Sequence, residues 1–380
     1  MKEPHPQPKP SSYECSSAAS LGYIDDPFVK HFIKHSPRRT PLFNRGKSVD
    51  MHTDRVPCSP AQPRPDSNPD VRRGLPVIGT YCRIRGIQDT VAKFIDQFSG
   101  VSETQVVSLG AGYDTTYFVL KVLHTSYSTL KPSHGMRRMH AVGLNAAPVC
   151  RGQAKGKVAT RYYEIDFAEI TSCKAMMISR KRTLKALLDL PIKGGGLGLS
   201  SNGYYLINGD LREFEQAVIP MLVSKYGFKL DTPTLFLSEC VLIYLDPQRS
   251  DAIIDWITNS MPTASAILVY EQINPNDRFG QMMIQNLKSR NITLKGLHAY
   301  PSLEAQRERY SKRGWNHVES IDIATFHDQR VDQAEKSRLA SLEILDEWEE
   351  FYLLSRHYCF AFAYISTDPR YQPLFSSIHI

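Results

Sequence analysis

The sequence predicts an α/β fold built on a mostly parallel sheet with helices on both faces, and three observations predict it. Apolar runs of strand length recur along the chain, each followed by a stretch with helical periodicity. Four successive runs end in glycine or an acidic residue, as expected where a ligand sits beyond the C-terminal strand ends of an open sheet. Hydrophobic residues make up 42% of the 380, enough to bury both faces of such a sheet.

Taken in order, residues 1–20 are rich in Ser and Pro and read as a disordered tail. A helical pattern then runs from Leu21 to Ile33 through Phe28 and Phe32. Residues 47–78 hold six prolines and little periodicity, the mark of a loop insertion. Ile87, Val91, Phe94, Ile95 and Phe98 recur at spacings of three and four, so Ile84–Phe98 reads as a helix. Gln105–Leu109 is a short buried strand, and Asp114-Thr115-Thr116 can cap the helix after it. A second loop insertion covers about 121–158. Beyond it the expected strands are 161–167, 204–209, 234–239, 266–270 and 358–366. The expected helices are 166–188, 213–226, 247–260, 278–290, 302–313 and one long helix over 334–354. This makes one domain over 21–366, interrupted twice, and a C-terminal tail at 367–380.

Composition narrows the function classes. No run of about 18 apolar residues appears, so no membrane span is expected. The first ten residues lack an apolar secretion core, and the seven cysteines form no CxxC pair. Reduced thiols in a cytoplasmic protein follow as the expectation, with no metal site. The net charge is +7, but eight basic residues and no acidic one lie in 121–161, so the remainder is near neutral. No nucleic-acid motif accompanies that segment, so no nucleic-acid partner is expected, and the chain is expected to be a monomer.

The strand ends carry the chemistry. The first strand ends in Gly110-Ala111-Gly112, the second in Asp166, the third in Asp210-Leu211 and the fourth in Glu239-Cys240. Glycines let the backbone approach a ligand closely. An acid at the second strand end can accept from both ribose hydroxyls, although Asp166 alone serves equally as a helix N-cap. Asp210 can accept from an adenine amino group while the Leu211 amide donates to a ring nitrogen, and Glu239 can face an ammonium. Together the four fit S-adenosylmethionine. The dinucleotide fingerprint asks for a third glycine, and Thr115 stands there instead. A donor without a pyrophosphate has no need of it.

Several blocks resemble the leucine carboxyl methyltransferases. They are Ser108 to Thr116, Tyr163 to Phe167, Ser238 to Tyr244, Tyr270 to Gln272, Asn276 to Gly280, Ser341 to Glu347 and Arg356 to Tyr358. The resemblance implies a Rossmann-like class I S-adenosylmethionine-dependent methyltransferase with added helical lid elements. It implies methylation of the C-terminal leucine carboxylate of the protein phosphatase 2A catalytic subunit. It places Arg83 on the methionine carboxylate, and Gly110, Asp166, Asp210, Leu211 and Glu239 at the other donor-binding positions. A lysine of the family's N-terminal region has no clear counterpart, and Cys15 or its neighbours stand there. On the substrate side Tyr244, which reads equally as a core tyrosine, and Arg278, which reads equally as half of a structural ion pair, are the candidates. No catalytic dyad is expected, because a carboxylate is already ionised at neutral pH.

Two other readings stay open: an S-adenosylmethionine-dependent O-methyltransferase of another carboxylate, or an inactive scaffold whose insertions have cost it donor binding. Related chains in tRNA wybutosine synthesis carry an extra C-terminal domain, and the stretch after Trp348 is too short to hold one.

Overall fold

The computed structural model of the chain describes residues 12–32, 74–129, 160–189, 191–194, 196–342 and 347–380. The interiors of both expected insertions fall outside these residues. In chain order the elements are α1 (Ser12–Ser20), α2 (Gly74–Phe98), β1 (Thr104–Leu109), α3 (Thr116–Thr129), β2 (Thr160–Asp166), α4 (Ala168–Arg180) and α5 (Arg182–Lys185). Then come β3 (Lys193–Gly194), β4 (Leu199–Ser201), β5 (Tyr204–Asn208), α6 (Ile219–Tyr226), β6 (Thr234–Glu239), α7 (Pro247–Ser260) and β7 (Ser265–Gln272). The chain finishes with α8 (Arg278–Lys288), α9 (Leu303–Ser311), β8 (His317–Asp322), α10 (Ile323–Arg330), α11 (Gln333–Ala340), α12 (Trp348–Ser355), β9 (Tyr358–Ile365) and α13 (Gln372–Ser376).

The strands form one sheet in the order β3-β4-β5-β2-β1-β6-β7-β9-β8. β5, β2, β1, β6 and β7 run parallel, and the outer strands on both sides run antiparallel. β1 sits at the centre and is buried along its whole length. Its alternation divides the core. Val106 faces a cluster with Phe94, Phe98 and Phe118, while Val107 and Leu109 face one with Leu222, Ile253 and Trp256. The order reverses at β1, so the ends of β1, β2, β5 and β6 bound one crevice.

The structure corrects the reading in several places. Residues 12–20, read as loose, form a helix that packs on α2 and buries Ala18. The helical pattern over 21–33 is mostly turns, with only a 3-10 turn at Val29–Phe32. α2 begins at Gly74, inside the stretch read as insertion, and α3 runs to Thr129, inside the second. The expected helix over 334–354 is two, α11 and α12; Glu347 at the start of α12 has φ −103°, ψ 53°, outside helical values. On α12, Phe351 is buried in the core beside His327. β8 was missed because it lies at the sheet edge and buries only Ile321, which leaves a weak apolar signal. The 367–380 segment is no loose tail, since Phe375, Ile378 and Ile380 are buried in the cluster with α2.

No helix among the described residues is long and apolar enough to cross a membrane.

Candidate functional site at the strand ends

The loop after β1 takes its shape from two glycines in the left-handed region, Gly110 at φ +60° and Gly112 at φ +56°. A Cβ on Gly110 would lie 2.8 Å from a methyl of Val241, so this loop and the one after β6 touch with no room for a side chain. The Ala111 amide bonds Ile165 O at 3.0 Å, and the Gly112 amide donates to Asp166 Oδ2 at 2.7 Å. Asp166 Oδ1 accepts from the Phe167 amide at 2.7 Å. Asp166 is therefore not the N-cap of α4, which is Phe167, whose own side chain makes no capping bond. It ties β2 to the glycine loop, and its remaining lone pairs stay available to hydroxyl donors.

Asp210 caps the 3-10 turn Leu211–Glu213, accepting from the Arg212 amide at 2.9 Å. The Arg212 guanidinium also grips its carboxylate, at 2.6 Å from Oδ2, and lies over the Phe167 ring. Leu211 is buried beneath. Arg212 was missed in the sequence; it follows Asp210-Leu211 directly, and its charge beside an acid was the available signal.

At the end of β6, Glu239 Oε1 lies 3.2 Å from Arg83 Nε of α2. Arg83 is almost fully buried, and its Nη2 also bonds Cys15 Sγ at 3.1 Å. Cys15 thus stands against Arg83, in the region where the resembling family has its lysine. An acid and a base held side by side at a strand end present one partner for a carboxylate and one for an ammonium.

The glycine loop is braced from below by residues with no assigned part in the sequence reading. Lys174 of α4 donates to Asp114 O at 2.6 Å and ion-pairs with Glu164 of β2, and both side chains are fully buried. Tyr204 donates to the same carboxylate at 3.0 Å. Burial pushes the Glu164 carboxyl up to about 7. From above, Asp26 accepts from the amides of Phe28 and Val29 at 2.8 and 3.0 Å and from the Thr115 hydroxyl, which clamps the N-terminal segment over the loop. Burial raises the Asp26 pKa as well. A glutamate inside the apolar run Tyr162–Ile165 was the visible signal for this brace.

Tyr244 closes the 3-10 turn Leu242–Tyr244 and is largely buried; burial pushes its hydroxyl up. Arg278 opens α8 at the surface and forms no ion pair among the described residues, so the structural ion pair considered for it is absent there. Its helix start is fixed by Asp277, which accepts from the Gly280 amide at 2.7 Å and from His357 Nε2 at 2.9 Å. The Gly280 amide, and after it His357, hold the Asp277 carboxyl below its usual range. The structure thus gathers Arg83, Gly110, Asp166 and Glu239 around two adjoining loops, with Asp210 and Leu211 at the next strand end; it shows no contact from Arg278 to them.

A mostly parallel sheet that reverses at β1, with glycines and acids at the strand ends, gives a Rossmann-like α/β fold consistent with the S-adenosylmethionine-dependent methyltransferases. A family model described as leucine carboxyl methyltransferase matches residues 11–128 and 151–258. A leucine carboxyl methyltransferase 1 homolog of Arabidopsis thaliana is 30% identical over 91% of this chain and 84% of its own length. Leucine carboxyl methyltransferase 1 of Bos taurus is 30% identical over 91% of this chain and 85% of its own. A tRNA wybutosine-synthesizing protein 4 of Rattus norvegicus is 30% identical over 92% of this chain but only 42% of its own length. The chain belongs to the leucine carboxyl methyltransferase family: it is a carboxyl-methylating enzyme with S-adenosylmethionine as methyl donor.

Proposed function

We propose that the acceptor is the α-carboxylate of the C-terminal leucine of the protein phosphatase 2A catalytic subunit. In this reading Arg83, Gly110, Asp166, Asp210, Leu211 and Glu239 hold the donor, while Tyr244 and Arg278 serve the acceptor. The carrying observation is the Arg83–Glu239 pair beside Gly110. Its two charges match the carboxylate and ammonium of an amino-acid end, and Gly110 lets the loop after β1 close directly on Val241, two residues past Glu239. Asp166 keeps lone pairs for a ribose, and Asp210 with Leu211 stands where an adenine edge would come. The family's name supports a leucine carboxyl acceptor.

Such a transfer asks little acid–base chemistry of the protein. An acceptor carboxylate is ionised at neutral pH, so no group need take a proton. A carboxylate oxygen bonds the methyl carbon as the carbon–sulfur bond breaks, and the positive charge on sulfur is discharged. The protein's own part is alignment and exclusion of water. The glycine loop sets the donor's height, the 241–244 turn borders it, and Arg278 offers a cation to the incoming carboxylate.

The test is methyl transfer from labelled S-adenosylmethionine to purified phosphatase 2A catalytic subunit, beside a form lacking its terminal leucine. Label on the intact subunit alone, abolished by Asp166→Ala, is the expected result. Donor binding without label on either form would redirect the acceptor to another carboxylate. No donor binding at all would refute the assignment of the site.

A further inference from the structure

Glu271 lies on β7, away from the donor-facing acids, yet its carboxylate reaches the loop after β6. Glu271 is 1% exposed, and its Oε1 accepts from the Ile243 amide at 2.7 Å. The Gln306 side chain and the Leu242 amide lie near it and favour its charged form, while the Leu242 amide itself donates to Ser238 Oγ at 3.4 Å. Arg309 of α9 is the cation that favours its charge, but that guanidinium is engaged by Asp251 at 3.1 Å and Ser250 at 2.7 Å. So the main work of this carboxylate is to accept from the Ile243 backbone amide of that turn.

That turn is held at every other point as well. Cys240 stands at φ +49°, a conformation costly for a residue with a Cβ, and its amide bonds Tyr270 O at 2.7 Å. Val241 packs on Gly110. The Gly296 amide donates to Ile243 O at 2.8 Å. One short segment thus touches the glycine loop with Val241 and carries Tyr244 three residues on.

We propose that Glu271 is a positioning residue for methyl transfer: its carboxylate holds the 241–244 turn against Gly110 and so sets the acceptor side at the right distance from the donor. This rests on the function proposed above. An ionised carboxylate gives the Ile243 amide a charged acceptor. A protonated carboxyl or a glutamine keeps only one neutral acceptor oxygen, which holds an amide about half as strongly. Burial pushes the Glu271 carboxyl up to about 7, so the exchange falls within the working pH range. The other ionisable groups facing it are Arg309 and Tyr310 of α9, Cys359 of β9 and Tyr244 of the turn. Burial pushes the tyrosines and the thiol up, away from neutrality.

The experiment compares wild type, Glu271→Gln and Gln306→Leu in kcat and KM against pH, in donor binding by calorimetry, and in amide exchange of residues 241–244 corrected for its chemical pH dependence. The wild-type kcat should fall on the acid side with a midpoint near 7. Glu271→Gln should lower kcat at pH 8 roughly 5- to 10-fold, the effect of exchanging a charged for a neutral acceptor at one buried amide, with donor affinity nearly unchanged. It should also abolish the acid limb. Gln306→Leu removes a donor to the charged form and should move the midpoint upward, which decides the matter if Glu271→Gln fails to fold. An unchanged acid limb in Glu271→Gln, or an unmoved midpoint in Gln306→Leu, would overturn the proposal. So would amide protection of the turn that does not follow pH in the wild type. If no phosphatase tail is methylated, the function proposed above fails, while pH-dependent protection of the Ile243 amide would still uphold the role of Glu271 in placing the turn.

Discussion

Replacing Lys174 with methionine tests how the donor loop is held. Lys174 and Glu164 are both fully buried, and the ammonium also bonds Asp114 O at 2.6 Å. Methionine keeps most of the volume but leaves the glutamate without its cation and the carbonyl without its donor. Breaking a buried pair on one side costs about 3–5 kcal/mol, a large share of the ~5–15 kcal/mol that holds a typical domain together. Part of that loss is relieved when Glu164 takes a proton, and burial already lifts its pKa to about 7. The loss should therefore be smaller at pH 6 than at pH 8. Urea unfolding followed by tryptophan fluorescence measures it, provided the slope is unchanged between variants. The double variant Lys174→Met/Glu164→Gln removes the orphaned charge and should regain about half or more of the single variant's loss. Donor affinity should fall in both, because Asp114 O lies two residues past Gly112 and loses its anchor either way. A single-variant loss under about 1 kcal/mol, or a double variant as unstable as the single, would refute the view that this pair is ionised and braces the loop.

Gly110→Ala forces a side chain into φ +60° and puts a Cβ 2.8 Å from a Val241 methyl, so both melting temperature and donor affinity should drop; adding Val241→Ala should relieve only the clash. Asp166→Asn should weaken donor binding roughly 10- to 100-fold by calorimetry, the value of charge-assisted hydrogen bonds to a donor group. Arg83→Leu leaves Glu239 without its partner and should raise the KM for the donor far more than it lowers kcat, with partial recovery in Arg83→Lys. Glu164 and Glu271 both have carboxyls raised from the ordinary 4.5 to about 7, so their contribution to stability is full below 4.5 and is lost as pH rises through 7. Urea midpoints should accordingly fall between pH 5 and pH 8, and Glu271→Gln should flatten the part due to Glu271.

How much of this was legible in the sequence depended on whether a residue's role shows in its neighbours along the chain. Helix α7 and strand β6 begin and end where the sequence placed them, because Pro247 opens the one and Glu239 closes the other. The strand-end residues were found for the same reason: their meaning is positional, and a glycine or an acid directly after an apolar run announces itself. Cross-chain partners do not. Nothing local to Arg83 says that its guanidinium meets both Glu239 and Cys15, which stand 156 positions after it and 68 before it. β8 and α13 are held by long-range packing, β8 through its ladder with β9 and α13 through Phe375 against Phe94 and Phe98. Their own apolar content is too thin to predict. Glu164 and Glu271 were visible as charges in apolar runs, but the sequence could not say which backbone groups they serve.

Those two glutamates and Asp26 share a physical logic. A loop at a strand end leaves the sheet ladder, so its amides and carbonyls need partners from elsewhere. Here Glu271 takes the Ile243 amide, Lys174 on Glu164 gives to Asp114 O, and Asp26 takes the Phe28 and Val29 amides and the Thr115 hydroxyl. Apolar side chains at these positions would pack well and could even stabilise the chain, since buried charges recover little of their desolvation cost. They would leave the three segments free to shift by an ångström against one another. For a reaction that depends on alignment, a shift of that size costs more than the stability gained. On the function proposed above, these buried groups fix the distances between the glycine loop, the 241–244 turn and the N-terminal segment, and that alignment is what would offset their desolvation.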